Sequence, residues 1–113
     1  MSDDNQIVIP PSFIALFVEP GRVKPSATKE HIYERYDYCE DMANMLTDQA
    51  TTKLWELGIT EADVLERIYQ GLTTAEVGLE ASEAPWVILR LAELLGWQEH
   101  WDGQQRPSRG PDT

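Results

Sequence analysis

Residues 28–57 read TKEHIYERYDYCEDMANMLTDQATTKLWEL, a stretch with neither proline nor glycine. Apolar residues recur within it at Ile32, Tyr36, Cys39, Ala43, Leu46, Ala50, Leu54 and Leu57, in steps of three and four. That spacing keeps one stripe on one side of an α-helix. At about 1.5 Å per residue such a helix would run about 45 Å, more than a small domain's width. Ser26 or Thr28 is placed to cap its start, and Glu30 lies near the positive end of the helix dipole. Thr47, Asp48, Thr51 and Thr52 are poor helix formers, so both a continuous helix with a bend and a split into two helices stay open there. Gly58 suits the residue just past a helix end, and Ile59 can supply the hydrophobic contact of a Schellman motif.

The flanking sequence reads as shorter elements laid against this helix. Pro11 is well placed near a helix start, where a missing amide proton costs nothing. Ser12 to Val18 then reads as about two helical turns, with a short strand as the competing reading of its Phe, Ile and Val content. It is apolar all round, so either the core or a second chain must cover it. Pro20, Gly21 and Pro25 mark the following loop. Thr60 and Asp63 resemble a capping box ahead of a helix to Gln70, which buries Val64, Leu65 and Ile68 and ends at Gly71. Thr73 or Thr74 can open another short helix over 75–79. Ser82 reads as the next N-cap and Pro85 as a first-turn residue, in a helix that runs to Leu95 and stops at Gly96. Trp86, Val87, Ile88, Leu89, Leu91, Ala92, Leu94 and Leu95 make more than one stripe, which predicts a central helix buried on most sides.

The expected fold is therefore all-α, a small bundle of four or five helices built on the long one, with a tri-helical C-terminal half. One helical domain is expected over 10–101, with a flexible N-terminus at 1–9 and a disordered polar tail at 102–113.

Charge narrows the partners. The 113 residues carry nine Lys and Arg against twenty Asp and Glu, a formal net charge of −11, and 42% are apolar, which supports a real core. Residues 28–57 hold three bases and seven acids, and 59–96 hold two and seven, so no basic island survives. Binding to nucleic acid or to an anionic membrane surface is disfavoured, because both require cations that displace counterions. A basic protein partner is compatible with the charge, as is plain solubility. The single cysteine, Cys39, excludes an internal disulfide and fits a reducing compartment. Met1 to Gln6 is acidic and polar where a secretory signal would be basic and then apolar, and the longest apolar run, Phe13 to Val18, is far short of a bilayer span. A cytoplasmic protein without membrane contact is expected.

Groups with chemical potential are few. His31 and Glu34 stand at i, i+3, a spacing used in carboxylate-bridged metal sites, but such a site needs matching ligands from other helices. The acidic side formed by Glu30, Glu34, Asp37, Glu40 and Asp41 reads as a solvated face partly paired with Lys29 and Arg35, so no metal is expected. No phosphate loop and no dinucleotide fingerprint is present, so no cofactor is expected. The acidic neighbours of Cys39 raise a thiol's pKa, which is wrong for a nucleophile. No catalytic residue is assigned. Aromatics are the remaining candidates: Phe13, Phe17, Trp55, Trp86 and Trp97 are the residues that would line a partner site, as core edge or as interface anchors.

Two resemblances bear on function. Val64-Leu65, Gly71-Leu72-Thr73, Glu76-Val77, Ser82-Glu83 and Leu95-Gly96 resemble the helix-turn-helix effector domains of response-regulator and quorum-sensing transcription factors. The connection between Val77 and Ser82 is shorter than in that family. Pro85 and Trp86 stand near the start of the would-be recognition helix, and its only base is Arg90. The run from Ile9 to Val18, with Tyr36, Cys39 to Met42 and Leu94 to Trp97, resembles a family of short uncharacterised proteobacterial proteins, some labelled ATPases with chaperone activity. The expected function is a non-enzymatic acidic interaction or adaptor protein with an unknown protein partner. A homodimer through the N-terminal apolar segment or the long helix is one arrangement that would cover the surplus apolar surface. The alternatives are a helix-turn-helix regulator and a small chaperone or ATPase-associated accessory protein.

Overall fold

The computed structural model describes residues 8–74 and 76–101. The expected flexible N-terminus at 1–9 falls mostly outside them, and the expected tail at 102–113 falls wholly outside. Among the described residues the chain is all-α, a small bundle of four helices with two short 3₁₀ turns and no strand. The helices are α1 (Pro11–Ile14), α2 (Lys29–Leu57), α3 (Glu61–Thr74) and α4 (Glu83–Leu95). None is long and apolar enough to cross a membrane. The described residues form two compact units divided between Tyr38 and Cys39, a boundary that falls within α2.

In the first unit α1 is short and continues as a 3₁₀ turn over Ala15–Phe17, so the strand alternative for 12–18 does not hold. Pro11 occupies the first helical position and Pro10 stands ahead of it, which pre-sets the backbone for a turn of helix. Only Phe13 of this segment is fully buried; Ile14, Leu16, Phe17 and Val18 are half-covered, so burial by the core, one of the two ways of covering it, is complete at one side chain alone. The loop after it is pinned by Ser26, whose backbone N–H and hydroxyl both donate to the Phe17 carbonyl, at 2.7 and 2.9 Å. Ser26 is thus a loop staple, and Thr28 is the cap of α2, accepting the His31 backbone N–H at 3.1 Å.

Helix α2 is continuous through 47–52. Its threonine hydroxyls turn back onto helix carbonyls and so find acceptors without interrupting it. Thr47 donates to Asn44 at 2.8 Å, and Thr51 donates to Asp48 at 3.0 Å and Thr47 at 3.3 Å. Ile32, Cys39, Ala43 and Ala50 are buried, with Tyr36, Leu46 and Leu54 half-buried, as the stripe requires, but its last member, Leu57, is exposed at the helix end. Gly58, at φ +63°, closes the helix by donating to the Leu54 carbonyl at 3.1 Å. This is the single-bond left-handed end, not the expected Schellman motif.

The second unit departs from expectation at its middle. Helix α3 starts as predicted, with the Asp63 N–H donating to Thr60 Oγ1 at 3.1 Å, but it runs through Gly71 to Thr74. The reason is Leu72, which extends the buried series Val64, Leu65 and Ile68 by one helical step. Thr73 and Thr74 then bond back to the Gln70 carbonyl at 3.1 and 2.7 Å. The short helix expected over 75–79 is absent among its described residues, 76–79, which form bends and open backbone. Two helices, not three, therefore lie between Thr60 and Gly96.

Ser82 makes no side-chain cap. That role passes to Glu83, whose carboxylate reaches back to accept the Glu80 N–H at 2.9 Å while only 1% of the residue is exposed. Helix α4 packs against α3 and buries Trp86, Val87, Ile88, Leu91 and Ala92. It ends in a true Schellman motif: Gly96 sits at φ +76°, Trp97 N–H donates to Ala92 at 2.7 Å, and Gly96 N–H donates to Glu93 at 3.2 Å.

Candidate functional site

The five aromatic candidates have different fates. In the first unit, Phe13 is wholly buried, and its ring lies 5.5 Å from Phe17 and 5.6 Å from Tyr36. Phe17 in turn meets His31 edge-on at 5.9 Å. His31 is therefore an aromatic-cluster neighbour on the first turn of α2, and among the described residues no group of three or more His, Cys, Asp or Glu could hold a metal ion. Beside this cluster lies an open groove of about 520 Å³, lined by Val8, Ile9, Ile14, Pro25, Ala27 and Ile32, with Lys29 as its one charged lining residue.

In the second unit, Trp86 is part of the α4 core and Trp97 is half-covered just past the Schellman end. Trp101 is buried with its ring 6.0 Å from Tyr69. Trp55 stands apart from these. Its side chain is on α2, on the side away from the buried stripe, and 83% of the residue is exposed. Met45, which the sequence reading did not single out, is 72% exposed on the same side. Its signal in the sequence is an apolar residue off the 3.6-residue stripe, and such residues are easily passed over because single exposed apolar side chains are normal.

Charges are sorted unevenly. The Arg90 guanidinium on α4 is held by Glu40 of α2, with Nε 2.9 Å from Oε1 and Nη2 2.9 Å from Oε2. Its Nη1 also donates to Glu93 Oε1 at 3.0 Å. The two carboxylates hold the guanidinium well above its ordinary pKa, the hydrogen bond to Glu40 being the largest cause and partial burial opposing it. Arg35 lies 5.0 Å over the ring of Tyr38, a cation–π contact. By contrast Asp41, Asp48 and Glu56, all exposed on α2, form no ion pair among the described residues. Cys39 is buried on the stripe.

No protein-family model, curated protein or solved structure matches this chain.

Proposed function

We propose that this protein is a non-enzymatic interaction or adaptor protein whose partner is another protein. The observation that carries this reading is the exposure of Trp55 and Met45, two of nine large apolar residues exposed among the described residues, which bury sixteen apolar residues elsewhere. Tryptophan is the residue type most enriched among interface hot spots, and methionine adapts to irregular partner surfaces. The net charge of −11 supports a basic protein over a nucleic acid. The helix-turn-helix alternative draws little support from Arg90, because the one base of α4 is already committed to Glu40 and Glu93.

Affinity purification of the tagged full chain from its native cell, with quantitative mass spectrometry, tests the reading. A partner retained reproducibly at near-stoichiometric level is expected. Retention of nothing above a tag-only control refutes it, and steady ATP hydrolysis by the pure protein refutes its non-enzymatic part.

A further inference from the structure

Building on the adaptor reading, we infer that the partner face is the exposed side of α2 between Asp41 and Glu56, and that its occupant is a cationic amphipathic protein segment. Asp41, Met45, Asp48, Thr52, Trp55 and Glu56 fall within about 100° of one another around the helix at about 100° per residue. All six are exposed. Met45 and Trp55 are ten residues apart, about 15 Å along the axis, which a facing helix spans in about three turns. They supply two apolar anchors at the two ends of one face.

Charge selects among the occupants. The three acids of this face have no cationic partner among the described residues, and the only base between 41 and 56, Lys53, is half-buried on the side turned towards the stripe. A second copy of this chain would set three carboxylates against three, and an anionic lipid surface or nucleic acid would meet the same repulsion. A segment with Lys or Arg flanking Leu or Phe anchors instead pairs the carboxylates while it covers Trp55 and Met45, the helix-on-helix recognition mode.

The probe is a blocked Leu/Lys amphipathic helical peptide of about five turns, titrated calorimetrically into the full-length protein at low salt. One-to-one binding is expected. Met45→Ala with Trp55→Ala, and separately Asp41→Asn with Asp48→Asn and Glu56→Gln, are each expected to weaken it by about tenfold or more. Glu30→Gln with Glu34→Gln, acids on the same side of α2 but about 10 Å or more before Asp41, is expected to weaken it less than the substitutions at Asp41, Asp48 and Glu56 do. A Leu/Glu peptide of the same pattern is expected not to bind. The altered side chains are solvent-exposed, and circular dichroism checks that each variant keeps its helices. No binding by the wild type, wild-type affinity in either face variant, or equal binding of the Leu/Glu peptide overturns the inference. A wild-type dimer in light scattering that Met45→Ala with Trp55→Ala abolishes also overturns it, in favour of a second copy. Failure here is separable from failure of the adaptor reading. A cellular partner retained equally by the Met45/Trp55 variant removes this face and leaves the adaptor. A peptide that behaves as expected beside an empty cellular purification removes the adaptor and leaves the face.

Discussion

The contact between Glu40 and Arg90 joins residues fifty positions apart in sequence, and its worth can be measured directly. Arg90→Met removes the charge and keeps most of the stem, while Glu40→Gln keeps the shape and removes the charge. Two unit charges about 4 Å apart attract by about 4 kcal/mol at an effective dielectric of about 20. Desolvation and the ordering of two long side chains offset much of that. The side chains are 33% and 22% exposed, so water screens part of what remains. Fully exposed pairs are worth about 0.2–1 kcal/mol, and charge-assisted hydrogen bonds about 1.5–3 kcal/mol. This bidentate, partly covered pair belongs between them, at about 1–2 kcal/mol of coupling. A double-mutant cycle by urea denaturation reads it, because the cycle cancels the separate contact between Arg90 and Glu93. With an m-value of about 1–2 kcal/mol per molar, each single substitution is expected to lower the midpoint by about 1 M, and the pair to cost little more than either alone. The coupling is expected to shrink at high salt, in keeping with its partial exposure. Additive losses, with coupling within about 0.3 kcal/mol of zero, would refute the reasoning that this pair ties α4 to α2.

Other substitutions address single elements. Leu91→Ala empties a wholly buried position of α4 and is expected to cost about 2–5 kcal/mol in the same denaturation assay; a loss under about 1 kcal/mol would mean that the site collapses around the cavity. Gly96→Ala meets no atom within 4 Å, so its expected cost of about 1 kcal/mol is the left-handed backbone alone, and a loss above about 3 kcal/mol would show a hidden steric clash. Thr60→Ala removes the cap on the Asp63 N–H and is expected to lower stability by about 1 kcal/mol, whereas Thr60→Asn should retain most of it. Trp55→Phe is expected to remove the longest-wavelength, most readily acrylamide-quenched part of the tryptophan emission, and Trp86→Phe to remove a blue-shifted part; the reverse pattern would contradict the exposures that frame the partner face.

The caps and the stripe were legible in the chain because they are local. The spacing from Ile32 to Leu54, Thr28 and Thr60 at helix starts, and Gly58 and Gly96 at helix ends all act within one or two turns, so sequence alone placed α2 and the limits of α4 within a residue or so. Tertiary packing decided the rest. Gly71 reads locally as a helix end, but burial of Leu72 carries α3 past it. Ser82 reads as a cap, yet the buried carboxylate of Glu83 takes the free N–H of Glu80. Thr47 to Thr52 reads as a weak point, yet burial of Ala43 and Ala50, with Leu46 and Leu54 half-buried, keeps α2 one helix through it.

The candidate site divides the same way. Composition marked out Phe13, Phe17, Trp55, Trp86 and Trp97 together, since an aromatic residue looks alike in a core and at an interface. Only the arrangement of helices separated Phe13 and Trp86, which are interior, from Trp55, which is not. Arg90 carries the same charge wherever it sits, and only packing set it against Glu40 while leaving Asp41, Asp48 and Glu56 unpaired among the described residues. Helix periodicity depends on neighbours three and four residues away and is written in the chain itself. Exposure and ion pairing depend on which distant side chains arrive, and those are chosen only when the helices pack.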